Sequence, residues 1–387
     1  MKKRADGRYR VKFTGDDGKT HYVYGKTVAE VKAAELEARK RISAGLVDKA
    51  TVTLDEYAAL FMEQREGKVR ESTARITRQH YETLSRHIGK MKLAKITRPV
   101  VLKLQKDLLQ DPILRCGKPT GKTLTEKGVN DRIGLLFSIL KAAVADRLIP
   151  YNPVDGVGFL QKTNVPARET IHRALTEEEI AIFFDAAKNC WYFNLFRFLI
   201  LTGCRTCEAT ALRLSDIDYR AGVVHITKTV ETVDNKDAGP GEAKYSYIIY
   251  EKPKTSRSKR DIPITGELRE VLEDQKRIMR EFFGGASIIR LDGYLFLNQK
   301  GNFVTASDGN QAIRNVLHYL PEDKKIEKFT DHALRATFAT HALRAGMNIN
   351  VLKEILGHTS FSMTLDLYGH VLEDQKAGEM EKLRLFG

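Results

Sequence analysis

Phe329-Thr330-Asp331-His332-Ala333-Leu334-Arg335-Ala336-Thr337-Phe338-Ala339-Thr340-His341 is the stretch on which the reading of this sequence turns. Residues Asp331–Ala345 read as a helix, with His332 and Arg335 three positions apart. An i, i+3 pair shares one helix face, so an imidazole and a guanidinium can meet one target. A following helix, Asn350–Leu356, stops at Gly357 and leaves His358 exposed just beyond it. Ten residues further stands Tyr368, the last tyrosine of the chain, on a short helical segment around Met363–Tyr368.

Upstream, Thr202-Gly203-Cys204-Arg205-Thr206-Cys207-Glu208 places Arg205 where one helix ends and the next begins. An arginine and free helix N–H groups can share an anion there. Glu208 is three residues on and can orient the guanidinium. Lys254 lies in a Pro-Lys-Thr-Ser-Arg turn before the strand ending Ile262-Pro263-Ile264, where a lysine can reach into a groove as proton donor. Arg257, Lys259 and Arg260 compete with it for that part. Metal-free phosphodiester cleavage needs this inventory: two guanidiniums for the non-bridging oxygens, a nucleophile, and an acid for the departing 5′ oxygen.

Composition agrees. The 387 residues are too many for one ordinary domain, and 42% hydrophobic content is enough for packed cores. The net charge of +14 points to a polyanionic partner. Residues 1–50 carry 13 basic and 7 acidic side chains and residues 51–160 carry 19 and 12, so 161–387 holds 64−32 = 32 against 50−19 = 31. The positive excess belongs to the first 160 residues, as a wide phosphate-holding surface requires. No apolar run is long enough to span a membrane, and the charged N-terminus has no signal-peptide pattern. Cys116, Cys190, Cys204 and Cys207 make no disulfide framework, so a reducing, cytoplasmic location is expected. Cys204 and Cys207 have a zinc-like spacing but no second pair nearby; no metal is expected.

Three blocks separate along the chain. In residues 1–49, Arg8-Tyr9-Arg10-Val11-Lys12-Phe13 alternates basic and apolar residues as a strand does, His21–Tyr24 reads as its return, and Gly15–Gly18 as the turn. Thr27 and Glu30 cap a helix running to about Ile42, with Val28, Val31, Ala38 and Ile42 on its inner stripe. Residues 52–155 read as helical throughout: Leu54–Phe61, Glu71–Ile88, Val100–Leu109 behind Thr97 and Pro99, and Thr125–Leu148. Residues 156–172 read as a linker. In residues 173–387, Thr176 and Glu179 cap a first helix, and Phe193–Leu201 forms a second. Val223–Thr229, Tyr247–Glu251 and Arg260–Ile264 read as one small antiparallel sheet, with a loop tip at 234–241. Helices resume at Glu267–Phe283 and Asn310–Tyr319. His341 and His370 are expected in packing or hydrogen bonding rather than chemistry.

Arg205, Lys254, His332 with Arg335, Leu-Gly-His358 and Tyr368, in that order, resemble the tyrosine recombinase family of phage and conjugative-transposon integrases, most closely those of Gram-positive conjugative transposons. The resemblance covers the whole chain and is densest over Phe329–His370. It implies a mainly α fold with small antiparallel sheets. An arm-binding domain would pair a three-stranded sheet with one helix, followed by a helical SAM-like core-binding domain and an α+β catalytic domain. It implies that Tyr368 forms a 3′-phosphotyrosyl link, that Arg205 and Arg335 stabilise the transition state, that Lys254 protonates the leaving oxygen, and that His332 and His358 assist, with Glu208 in support. Integration and excision of a mobile element would follow, with no cofactor, on double-stranded DNA at specific sites. The chain would assemble as a tetramer, with accessory bending or excision factors as further partners, in the bacterial cytoplasm close to the nucleoid. DNA contacts are expected at Arg8, Arg10, Lys12, Arg75, Arg78, Arg86, Lys90 and Lys92. The apolar tail Met380, Leu383, Leu385 and Phe386 would either fold back on its own domain or, as the resemblance suggests, dock on a neighbouring protomer. Cys207 stands where the family usually has a smaller residue. The rival readings are a type IB topoisomerase and a DNA-binding regulator without cleavage.

Overall fold

The computed structural model describes residues 7–15, 20–43, 51–115, 118–161, 173–234, 245–251, 259–284 and 293–357. Several expectations lie outside the described residues: the turn at 16–18, the loop tip from 235, the linker from 162, Lys254, Arg257, His358, Tyr368 with its helical segment, His370 and the apolar tail. The chain divides into two units, Met1–Val165 and Pro166–Gly387.

In the first unit, strands β1 (Tyr9–Thr14) and β2 (Thr20–Gly25) pair antiparallel, Tyr9 opposite Gly25. The basic–apolar alternation resolves as expected, with Phe13 buried and Arg10 and Lys12 facing out. Helix α1 (Val28–Ser43) covers the inner face through Val31, but Val28 is exposed. Its cap is shifted by one residue. Glu30 N–H donates to Thr27 Oγ1 (3.2 Å), while the Glu30 carboxylate accepts from Lys26 N–H (2.8 Å) rather than from Thr27. The third strand implied by the resemblance is not among the described residues.

Helices α2 (Leu54–Glu63), α3 (Glu71–Leu84), α4 (Arg98–Leu108) and α5 (Glu126–Ala145) bury Leu54, Leu84, Leu108, Ile133, Leu136 and Leu140 in one core. Thr53 and Glu56 make a reciprocal cap for α2. Helix α3 widens into a π-turn over Ser85–Gly89, short of the regular helix expected to Ile88. There the Asp55 carboxylate accepts from the Tyr81 and Ser85 hydroxyls, both at 2.7 Å. The block is not helical throughout. Strands β3 (Pro112–Arg115) and β4 (Lys118–Thr123) pair antiparallel there. Two prolines and two glycines within ten residues, Pro112, Gly117, Pro119 and Gly121, bar a helix there. Nor is 156–160 free linker. Arg98 donates to Gly156 O (2.8 Å), Gln105 to Gly158 O (3.0 Å), and Asn130 brackets Leu160 with two hydrogen bonds.

In the second unit, α6 (Glu177–Ala186) starts on the expected Thr176–Glu179 box. Helix α7 (Phe193–Thr202) is apolar on most sides and lies inside the core with Phe183, Phe196, Phe198 and Leu199. The short α8 (Thr206–Ala209) follows it after a sharp bend. The expected single sheet is two. Strands β5 (Ile217–Asp218), β6 (Val223–Ile226) and β9 (Arg260–Pro263) form one, and β7 (Thr229–Asp234) with β8 (Tyr245–Tyr250) forms a separate hairpin. The run read as one strand at 223–229 breaks after Ile226, where Lys228 turns back to pair with Asp216. No glycine or proline marks that break. Helices α9 (Gly266–Phe283), α10 (Ala306–His318), α11 (Asp331–Arg344) and α12 (Ile349–Leu356) complete the unit. Helix α10 begins earlier than expected, on a Thr305–Asp308 box. Alanines and threonines on α11 let it pack closely along α7. His341 takes the structural part expected of it, 3.2 Å from Leu175 O.

Candidate active site

The site is built at the bend between α7 and α8. Helix α7 closes on Gly203 in the left-handed conformation (φ 63°), which turns the chain sharply and frees the next residues to start α8. A β-carbon at this position would lie 2.5 Å from Phe338 Cδ1 and 2.8 Å from Leu356 Cδ2, so only glycine fits. Arg205 follows as the N-cap residue of α8. Its backbone N–H donates to Glu208 Oε2 and its Nη1 to Glu208 Oε1, each at 3.0 Å. Glu208 thus orients Arg205 as the i, i+3 spacing predicts. Roughly a third of the Arg205 side chain stays exposed (36%).

Arg335, on α11, approaches the same bend from the other side. It is buried, donating from Nη1 to Gly203 O (2.6 Å) and from Nη2 to Leu356 O (2.8 Å). Among the described residues it has carbonyl partners and no carboxylate. Burial lowers its pKa to about 10, helped by the positive charge of Arg205. Two guanidiniums held together in this way form a region of unbalanced positive potential. An incoming anion relieves it.

A third guanidinium, not assigned to the site by the sequence, completes the arrangement. Arg260 opens β9 and is 5% exposed. Its Nη2 donates to Glu208 Oε2 (2.7 Å) and lies 3.5 Å from Cys204 Sγ, and its Nε donates to Ile355 O (2.5 Å). Arg260 is therefore not an exposed competitor of Lys254 but a buried support for Glu208. Period-two alternation held the signal: Arg260 and Ile262 share a strand face, and Ile262 belongs to the core. Burial would raise the Glu208 pKa, but Arg260 and then Arg205 outweigh it and bring the carboxyl down to about 2. Burial pushes the Cys204 thiol up to about 11 and also raises Cys207, so neither thiol is activated.

His332 stands one turn before Arg335, its side chain 56% exposed. Asp331 ties this helix start to the Arg205 bend: its Oδ2 accepts from the Thr206 hydroxyl, its Oδ1 from His332 N–H (2.9 Å), and its own N–H donates to Asn310 Oδ1 (2.8 Å). The structure thus brings together Arg205, Glu208, His332 and Arg335. Lys254, His358 and Tyr368 lie outside the described residues, although the helix that leads to His358 ends where expected, with Gly357 left-handed. Among the described residues no group of three His, Cys, Asp or Glu side chains could hold a metal ion. Of the expected DNA contacts, Arg8, Arg10, Lys12, Arg75, Lys90 and Lys92 are exposed. Arg78 pairs with Glu71, and Arg86 lies 3.4 Å from Asp111.

The geometry places a part-exposed arginine, a buried arginine and an imidazole at one bend of the chain. The phage integrase family model matches residues 173–375, and the family's N-terminal SAM-like domain matches 53–109. The chain belongs to the phage integrase family and is a site-specific tyrosine recombinase, an enzyme of DNA strand exchange. It is 28% identical to a XerC-like tyrosine recombinase of Caldanaerobacter subterraneus subsp. tengcongensis, over 93% of this chain and 90% of that protein. It is equally similar to the transposase of transposon Tn916 from Enterococcus faecalis, 28% identical over 98% of this chain and 93% of the other. In fold it resembles the Tn1549 transposon integrase solved with transposon right-end DNA (TM-score 0.65, 23% identity, covering 86% of this chain and 99% of that one). It also resembles a lambda integrase tetramer solved on a Holliday junction (TM-score 0.59, 16% identity, 94% and 93%). These relatives favour neither the topoisomerase nor the regulator reading.

Proposed function

We propose that this chain integrates and excises a conjugative mobile element by cutting and rejoining double-stranded DNA through Tyr368. The observation that carries the reading is Arg335. It is a buried guanidinium without a carboxylate partner among the described residues, beside the part-exposed Arg205. Such an arrangement is costly until an anion arrives, and a scissile phosphate is that anion. The Tyr368 oxygen bonds to phosphorus as the P–O5′ bond breaks. The phenolic proton passes to His332, and Lys254 supplies a proton to the leaving 5′ oxygen, with His358 against the phosphate. The phosphotyrosine keeps the bond energy, so rejoining needs no nucleotide and no metal.

In this reading residues 1–49 bind arm sites through Arg8, Arg10 and Lys12. Residues 52–155 hold the core site through Arg75, Arg78, Arg86, Lys90 and Lys92, and 173–387 cut. The Tn1549 and lambda integrases were solved on DNA, the latter also as a tetramer on a Holliday junction, which supports DNA as partner and a tetramer as the working assembly. Accessory bending or excision factors would steer direction. The bacterial relatives, and the lack of any described helix long and apolar enough to cross a membrane, support action in the cytoplasm. A duplex carrying an element end and a nick beside the cut site should trap a covalent protein–DNA adduct. Tyr368→Phe should abolish the adduct and spare binding. No adduct with the unaltered chain, or an adduct that persists in the variant, overturns the reading.

A further inference from the structure

Asp331 contacts Thr206, Asn310 and His332, and the contact with His332 bears on chemistry. Its Oδ1 accepts from the His332 backbone N–H at 2.9 Å and stands 3.2 Å from His332 Nδ1. The residue is held in place at side chain and backbone and is buried. Thr206, the first residue of α8, donates its hydroxyl to Oδ2; Asn310 of α10 accepts from the Asp331 backbone N–H; and the side chain is only 2% exposed. Burial by itself would push the Asp331 carboxyl up. The hydrogen bonds from His332 and Thr206 outweigh it and hold the group below its usual range, so it is an acceptor at neutral pH. A pure acceptor beside Nδ1 requires the proton to sit on Nδ1. The other ring nitrogen, Nε2, then carries the lone pair, on a side chain that is more than half exposed.

We propose that Asp331 is a positioning residue for His332, fixing the imidazole as the Nδ1–H tautomer so that Nε2 faces the reacting phosphate as proton acceptor. This rests on His332 being the group that takes the Tyr368 proton. In that step the phenolic O–H bond breaks, an Nε2–H bond forms, and the new imidazolium lies against a fixed carboxylate that stabilises it. The same carboxylate, through Thr206, keeps the start of α11 in register with the Arg205 bend. The proton acceptor and the phosphate clamp are thereby set by one buried group.

The test uses the full chain with 15N-labelled histidine. His332 is assigned in the imidazole 1H–15N correlation spectrum by its loss in His332→Gln, at a pH where the ring is neutral. The expected spectrum shows Nδ1 protonated and Nε2 at the lone-pair position. An Nε2–H tautomer in the unaltered chain overturns the proposal, even if Asp331→Asn does not fold. Asp331→Asn keeps the size of the side chain but can turn an N–H toward Nδ1, and should shift the ring toward the opposite tautomer. Adduct formation on the nicked duplex should slow by about ten- to a hundredfold, the range found where a carboxylate that orients a metal-bound histidine is lost. In a His332→Gln background the same change should add little. An equal further loss there would mean that Asp331 acts only through Thr206 and packing, which overturns the proposal. Absence of any adduct with the unaltered chain would instead refute the recombination chemistry, and the spectrum would still decide the tautomer.

Discussion

At the scale of single residues the site is an exercise in charge balance. Three guanidiniums stand at the site with one carboxylate: Arg205 and Arg260 bond Glu208, Arg335 bonds two backbone carbonyls, and Arg260 and Arg335 are almost wholly buried. Removing Arg260 leaves Glu208 buried with only Arg205 to balance it. Arg260→Leu should therefore cost about 3–5 kcal/mol, read as a lowered urea midpoint, and adduct yield should fall with it because Arg205 loses its fixed partner. The acid limb of stability carries a second signature. The Glu208 carboxyl titrates near 2 when folded and near 4.5 otherwise. A depressed carboxyl contributes stability in full above its unfolded value and loses it as pH falls from about 4.5 toward 2, a difference of the order of 3 kcal/mol. Urea titrations at a series of acid pH values should show that loss in the unaltered chain and a shallower one in Glu208→Gln. Parallel acid limbs would mean that Glu208 is not held as an anion. Little of this balance was readable in advance. Arg205 with Glu208 and His332 with Arg335 were legible because helical spacing fixes i, i+3 neighbours. Arg260 with Glu208 and Asp331 with Thr206 are joined across 52 and 125 residues, and no local period reports such a pair.

At the scale of elements, the bend between α7 and α8 decides whether these residues meet. Gly203 carries it. The left-handed backbone costs any other residue about 1–2 kcal/mol, and its missing β-carbon is the space taken by Phe338 and Leu356. Overpacking adds about 1–3 kcal/mol more. Gly203→Ala should thus lose upward of about 2 kcal/mol in urea unfolding. It should also lose adduct formation beyond what stability explains, since the Gly203 carbonyl is an acceptor for Arg335. A variant with unchanged urea midpoint would show that the bend tolerates a side chain. The elements that sequence reading recovered are those with a strong period or a cap, such as α6 on Thr176–Glu179 and α7 with its apolar run. Those it missed lack one. The β3–β4 pair is exposed on nearly every side chain described, so it has no inward face to betray a strand. The split between β6 and β7 falls at Thr227-Lys228, where it depends on the distant partner Asp216.

At the scale of the whole molecule, charge and chemistry are placed in different parts of the chain. Residues 1–160 hold 32 basic against 19 acidic side chains, whereas 161–387 is nearly balanced, 32 to 31. The near-neutral part nevertheless concentrates its positive potential where Arg205 and Arg260 share the Glu208 carboxylate and Arg335 has only carbonyl partners among the described residues. Affinity and catalysis should therefore respond to different substitutions. Arg10 and Lys12 point outward from β1, Arg10 with its guanidinium 5.1 Å from the Tyr22 ring centre on the neighbouring strand. If they meet DNA phosphates, replacing both with alanine should weaken binding to specific and unrelated duplexes alike. The slope of log affinity against log salt should become shallower by about two, close to one for each phosphate no longer neutralised. Adduct formed per bound protein at saturating nicked duplex should stay unchanged, because both residues lie outside residues 173–387, to which cutting is proposed to belong. A salt slope unaltered by the double substitution would remove the β1 face from the DNA surface. A drop in adduct at saturation would mean instead that arm binding and strand cutting are coupled through the protein.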